Sequence, residues 1–187
     1  QAPDANAAAW SRVADFAQSR MRESNTPGLA LAITSRDRLL HVATFGFANL
    51  AAQRRLTPDT LFEIGSISKS FTAIALLQLG DEKRFDPQAP ITRYLPWFRI
   101  TSSYAPITGH HLMSHTAGLP RDRDDVPSSP YQAYAVRERQ AGYAPGVHYA
   151  YSNIGYQVLG YTVEAITKRP YADVISWRVP SPLGMRA

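Results

Sequence analysis

Cysteine is absent from this chain of 187 residues, which excludes disulfides, a thiolate nucleophile and a Cys-ligated metal. Its absence also removes the usual sequence mark of redox compartment. A cationic tract is lacking as well. Twenty basic residues against 15 acidic ones leave a formal charge of +5, yet basic residues are adjacent only in the pairs Arg54-Arg55, Lys83-Arg84 and Lys168-Arg169. Charge spread this evenly is ordinary solubility charge, and no nucleic-acid partner is expected. Long apolar runs are missing too: Gly28 to Ile33 and Ala73 to Leu79 fall far short of the roughly 20 residues that cross a bilayer. No membrane span is expected. The first residues, Gln1-Ala2-Pro3, show no initiator Met, basic n-region or apolar h-region, so the expectation is a mature, periplasmic or secreted bacterial chain.

What is present is enough apolar material for a core, with 44% hydrophobic and 11% aromatic residues. Ala7 to Arg22 places Trp10, Val13, Ala17 and Met21 at helical spacing, and Asn25-Thr26-Pro27-Gly28 stops that helix. Leu29 to Thr34 and Leu39 to Phe47 read as two strands joined through the polar Ser35-Arg36-Asp37-Arg38, a β-hairpin. An isolated hairpin is marginal in water, so these strands need the helix and further strands. A helix is expected from near Ser66 to about Gly80, its apolar positions being Phe71, Ile74, Ala75, Leu77 and Leu79. Beyond it the pattern predicts short helices at Ile107 to His115, Tyr131 to Gln140, Ser152 to Lys168 and Tyr171 to Val179, with an exposed loop at Arg121 to Pro130. The fold class expected is α+β: a helix and hairpin over residues 1–60, then a mostly helical region over 61–187.

The chemistry-bearing stretch is Phe62-Glu63-Ile64-Gly65-Ser66-Ile67-Ser68-Lys69. A serine at a helix start and a lysine three residues on share one face of the first turn, so the amine can take the hydroxyl proton. The positive end of the helix favours the anion formed when the oxygen attacks a carbonyl. Gly65 permits a tight turn just before Ser66. Ser-x-x-Lys alone recurs by chance, and an N-capped helix with a solvated lysine explains it equally well. The weight comes from Ala144-Pro145-Gly146-Val147-His148-Tyr149-Ala150-Tyr151-Ser152-Asn153, where Tyr-x-Asn opens another helix. A phenol beside a lysine ammonium is a stronger acid, so Tyr151 can relay a proton. Asn153 can donate its amide to a substrate carbonyl while its oxygen orients Lys69. The plain alternative is a Ser152 helix cap with packing tyrosines.

Together these segments resemble the serine β-lactamase and penicillin-binding protein family, nearest its class C type and the related D-peptidases and family VIII esterases. The likeness runs from Pro27 to Met185 and includes Leu112-Met113-Ser114-His115-Thr116-Ala117-Gly118-Leu119-Pro120 and Pro182-Leu183-Gly184-Met185. It implies a β-lactamase/transpeptidase-like fold, with Ser66 acylated, Lys69 as general base, Tyr151 as second acid/base and Asn153 binding substrate. The implied reaction is hydrolysis of an amide, ester or β-lactam carbonyl in a small-molecule or peptide substrate through an acyl-enzyme, without metal or organic cofactor. Tyr151-Ser152-Asn153-Ile154-Gly155-Tyr156 resembles the D-peptidase and esterase branches more than the β-lactamases. His115 belongs to a structural turn by the same likeness, and His110, His111 and His148 match no catalytic position.

The resemblance also implies a third motif, Lys-Thr-Gly or His-x-Gly, on a C-terminal strand that supplies a second oxyanion donor and completes the sheet. This sequence contains neither. The expectation is therefore an incomplete fold whose partner is a C-terminal fragment of the same protein, its own activity doubtful. The competing reading is a non-catalytic relative that keeps the fold for binding or assembly.

Overall fold

A computed structural model describes residues 6–122, 129–137 and 139–185. The chain divides into two compact units, Gln1–Glu63 and Ile64–Ala187.

In the first unit, helix α1 (Ala7–Glu23) precedes strands β1 (Gly28–Thr34), β2 (Leu39–Asn49) and β3 (Arg54–Arg55). The three strands form one antiparallel sheet in sequence order, Leu31 opposite Ala43, with a register shift at Ile33/Thr34. Ser35 N–H donates to the Arg38 carbonyl (2.9 Å) and closes the hairpin through the expected polar residues. Trp10 of α1 lies flat on His41 of β2, centroids 4.9 Å apart. At Gly46 the backbone takes φ +73°, and a Cβ there would meet the Pro27 carbonyl oxygen at 2.2 Å, so no other residue fits. The third strand was not anticipated, because two residues are too few to show alternation; Leu56 N–H returns to the Gly46 carbonyl just after it (3.2 Å).

The second unit is helical: α2 (Ser68–Asp81), α3 (Gly109–Met113), α4 (Ser129–Val136), α5 (Asn153–Thr167) and α6 (Tyr171–Arg178). Its core gathers Leu76 and Leu79 of α2, Phe85, Ile91, Leu95, Phe98, Leu112, and Ile154, Val158, Leu159 and Val163 of α5. The i, i+4 recurrence of that α5 stripe is what the sequence showed. α6 is tied to α2 by Thr72 Oγ1 against Tyr171 OH (2.6 Å) and by the two-pronged bond of Arg178 to Glu82 (2.7 and 3.1 Å).

Three expectations need correction. α2 buries Thr72, Ala75, Leu76 and Leu79, while Ile74 and Leu77 stay largely exposed; a helix apolar on all sides does not reveal its buried face. The helix expected over Ile107 to His115 shrinks to five residues, since Thr108 caps it with His111 and His115 leaves it at φ +59°. The helix expected from Tyr131 to Gln140 runs Ser129–Val136 instead, so the loop expected over Arg121 to Pro130 ends sooner; its residues 123–128 lie outside those described. The α+β class stands. Among the described residues no helix is long and apolar enough to cross a membrane.

Candidate active site

Ser66 sits in a single 3-10 turn, Gly65–Ile67, which runs directly into α2. Gly65 makes this entry possible with φ +50°, a conformation side chains resist. No side chain caps α2; the 3-10 turn takes its first amide instead, Ser68 N–H bonding back to the Gly65 and Ser66 carbonyls, and the positive end of the helix lies beside the exposed Ser66 hydroxyl. One turn on, Lys69 Nζ donates to Ser66 Oγ at 3.1 Å.

The Tyr-x-Asn segment reaches the same oxygen. Tyr151 OH donates to Ser66 Oγ at 2.6 Å, and Lys69 Nζ lies 4.9 Å from the Tyr151 ring centre. Lys69, and then the Ser66 hydroxyl, favour the phenolate and pull the Tyr151 phenol below its ordinary range. Ser66, Lys69 and Tyr151, expected to act together, are thus in contact. Their elements are rooted in the core. Ser152, buried, accepts from Gly155 N–H (3.0 Å) as the α5 cap and donates to the Pro120 carbonyl (2.6 Å). The Ser152 cap offered as the plain alternative is real, and it coexists with the contact on Ser66.

Asn153 is placed differently from expectation. Its Nδ2 donates to Asp122 Oδ1 (2.9 Å), and its N–H donates to the Arg121 carbonyl (2.9 Å). Among the described residues its oxygen makes no hydrogen bond to Lys69. It lines, with Lys69, Tyr156, Gly160, Tyr161 and Tyr171, a groove of about 440 Å³ between α2 and α5. Asp122 and Arg121, whose guanidinium stands 5.7 Å from the Tyr151 ring centre, belong to the loop expected to wall the pocket, but neither side chain was given a role. Tyr156 was likewise quoted but given no role; its hydroxyl donates to the Met113 carbonyl (3.0 Å), and burial raises its phenol above the usual range.

The histidines divide by contact. His111 Nδ1 accepts from Thr108 N–H (3.2 Å) in the α3 cap, and His148 packs edge-on against Tyr143 at 5.2 Å. His115 stacks on Tyr151 with centroids 4.5 Å apart, and its Nδ1 accepts from Ser152 N–H (3.1 Å). Burial, and then the Lys69 charge, lower its pKa. Among the described residues no group of three His, Cys, Asp or Glu is arranged to hold a metal ion.

With this geometry established, the likeness to known proteins is specific. Esterase EstB of Burkholderia gladioli is 30% identical over 187 residues, 89% of this chain and 47% of that protein. Among solved structures, a beta-lactamase/D-alanine carboxypeptidase from Pseudomonas syringae matches with TM-score 0.86 at 30% identity, over 97% of this chain and 51% of that one. An octameric penicillin-binding protein homologue from Pyrococcus abyssi matches with TM-score 0.86 at 28% identity, over 94% and 43%. The chain spans about half the length of these relatives. The family model described as Beta-lactamase matches residues 13–187, and the chain belongs to that family.

Proposed function

We propose that this protein is a serine hydrolase acting through an acyl-enzyme on an ester or D-peptide carbonyl. The reading is carried by one observation, the meeting of Lys69 Nζ and the Tyr151 phenol on the exposed Ser66 Oγ. In the proposed reaction Lys69 acts as general base and takes the Ser66 proton as Oγ attacks the carbonyl carbon. The oxyanion forms near the start of α2, where the helix dipole favours it. Tyr151 gives a proton to the departing alkoxide or amine and recovers one by way of Lys69; its depressed pKa suits both halves of that exchange. Water then releases the acyl group along the same route in reverse.

The esterase and beta-lactamase/D-alanine carboxypeptidase relatives support an ester, peptide or β-lactam carbonyl as the target, and the likeness of the segment from Tyr151 to Tyr156 to the D-peptidase and esterase branches puts ester and D-peptide first. The test treats the full-length protein with a fluorophosphonate, maps the adduct by mass, and compares turnover of p-nitrophenyl butyrate, a D-Ala-D-Ala peptide and nitrocefin. One adduct on Ser66, absent from Ser66→Ala, and turnover of ester or peptide ahead of nitrocefin are expected. Absence of an adduct, or turnover that survives Ser66→Ala, overturns the reading.

A further inference from the structure

His115 makes contacts that a turn residue does not need. Its carbonyl accepts Ala150 N–H at 2.8 Å and its Nδ1 accepts Ser152 N–H at 3.1 Å. Between those two amides lies Tyr151, whose ring stacks on the imidazole at 4.5 Å and 29°. One residue thus holds the amide N–H of each neighbour of Tyr151 and stacks on its ring. Tyr156 and Tyr149 close around the imidazole at 5.2 and 5.8 Å. The backbone of His115 is held at φ +59° to make this possible, a conformation uncommon for any residue but glycine.

We propose that His115 is a positioning residue for the Ser66 reaction: its unprotonated imidazole and its carbonyl fix Tyr151 so that the phenol reaches Ser66 Oγ. This rests on the function proposed above. His115 touches neither Ser66 nor the leaving group; it acts through Tyr151. Only neutral imidazole has the Nδ1 lone pair that Ser152 N–H requires. Of the groups facing it, Lys69 from α2 opposes a charge on the imidazole, and Tyr149 and Tyr151 on the gripped segment, Tyr156 from α5 and Arg121 beside the Tyr151 ring bring no carboxylate.

The test uses full-length protein with ¹³C-labelled tyrosine, in which the Tyr151 signal is identified by its loss in Tyr151→Phe. His115→Gly tolerates the positive φ and removes both acceptor and ring. His115→Asn tolerates it and keeps an acceptor for Ser152 N–H. In His115→Gly the Tyr151 titration is expected to move up toward ordinary tyrosine. Its kcat should fall about a hundredfold, the low end for a lost proton-transfer group, with KM little changed. Added imidazole should restore part of the loss. His115→Asn should fall between the two and lose the acid limb of the pH–rate profile. A Tyr151 titration and an acid limb that are wild-type in both variants overturn the inference, and if His115→Gly does not fold, His115→Asn alone decides it. Wild-type protein that titrates as expected but never acylates Ser66 would sink the proposed function instead, leaving the grip on Tyr151 intact.

Discussion

The Tyr151 hydroxyl donates a 2.6 Å hydrogen bond to Ser66 Oγ across a separation of 85 residues. Neither residue reaches the other by local structure. Ser66 is delivered by the entry to α2, Tyr151 by the segment before α5, and the two helices share the buried Leu76, Leu79, Val158 and Leu159 core. Packing of that core is therefore what sets the distance between Ser66 and Tyr151.

The role given to Tyr151 makes a kinetic statement. Tyr151→Phe keeps the ring on His115 and removes only the exposed hydroxyl, so stability should hardly change while kcat falls by about 10² to 10⁴, the usual range for a proton-transfer group. The wild-type rate should also fall at alkaline pH with an apparent pKa below 10.0, because Lys69 and Ser66 depress the phenol and the protonated acid is lost. That limb should disappear in Tyr151→Phe. Initial rates of ester hydrolysis against pH check both points.

Acid should loosen the fold before any carboxylate titrates. His115 and His111 both have pKa values lowered from the ordinary 6.5, in each case first by burial and then by a neighbouring cation. The unfolded chain therefore binds more protons than the native one as pH drops through 6.5. Their contribution is whole above that pH, shrinks as pH falls from it toward the folded-state values, and is gone below them. Urea midpoints across this range should decline, and His115→Asn should flatten part of the decline, leaving the His111 share. A midpoint independent of pH down to the carboxylate range would contradict this.

Much of the architecture was legible before any coordinates. The α5 stripe of Ile154, Val158 and Thr162 repeats at helical spacing, and the Leu29 and Leu39 strands meet across a short polar turn. Ser66 and Lys69 were legible because three residues of helix fix their distance. Asp122 was not, since its bond to Asn153 joins residues 31 apart through a turn that no periodicity describes. Nor was the inner face of α2, where Leu76 and Leu77 look alike in sequence and only packing separates them.

That pair gives a direct stability test. Leu76 is wholly buried and Leu77 is 52% exposed. Leu76→Ala should cost about 2–5 kcal/mol by opening a cavity in the helical core, whereas Leu77→Ala should stay within about 0.5 kcal/mol. Denaturant unfolding of the two variants decides it; a larger loss in Leu77→Ala than in Leu76→Ala would mean that α2 is buried on the face opposite to the one described.

Asp122 should act on binding and leave the chemical step alone. Its carboxylate accepts from Asn153 Nδ2 at 2.9 Å, which fixes the rotation of the amide of a residue that lines the groove beside Lys69. Removing the carboxylate in Asp122→Ala frees the amide to turn, and Asn153 must then be ordered by the substrate itself. A hydrogen bond to a charged group contributes about 1.5–3 kcal/mol when buried, and the Asp122 side chain is 32% exposed, so about 1 kcal/mol is the reasonable size after solvent screening. That corresponds to a KM raised roughly fivefold, with kcat held, because Ser66, Lys69 and Tyr151 keep their contacts. Asp122→Asn, which can still accept from Nδ2, should recover most of the loss. If Asp122→Ala instead lowers kcat and leaves KM unchanged, the carboxylate acts on the proton path of Tyr151, toward which the neighbouring Arg121 already leans.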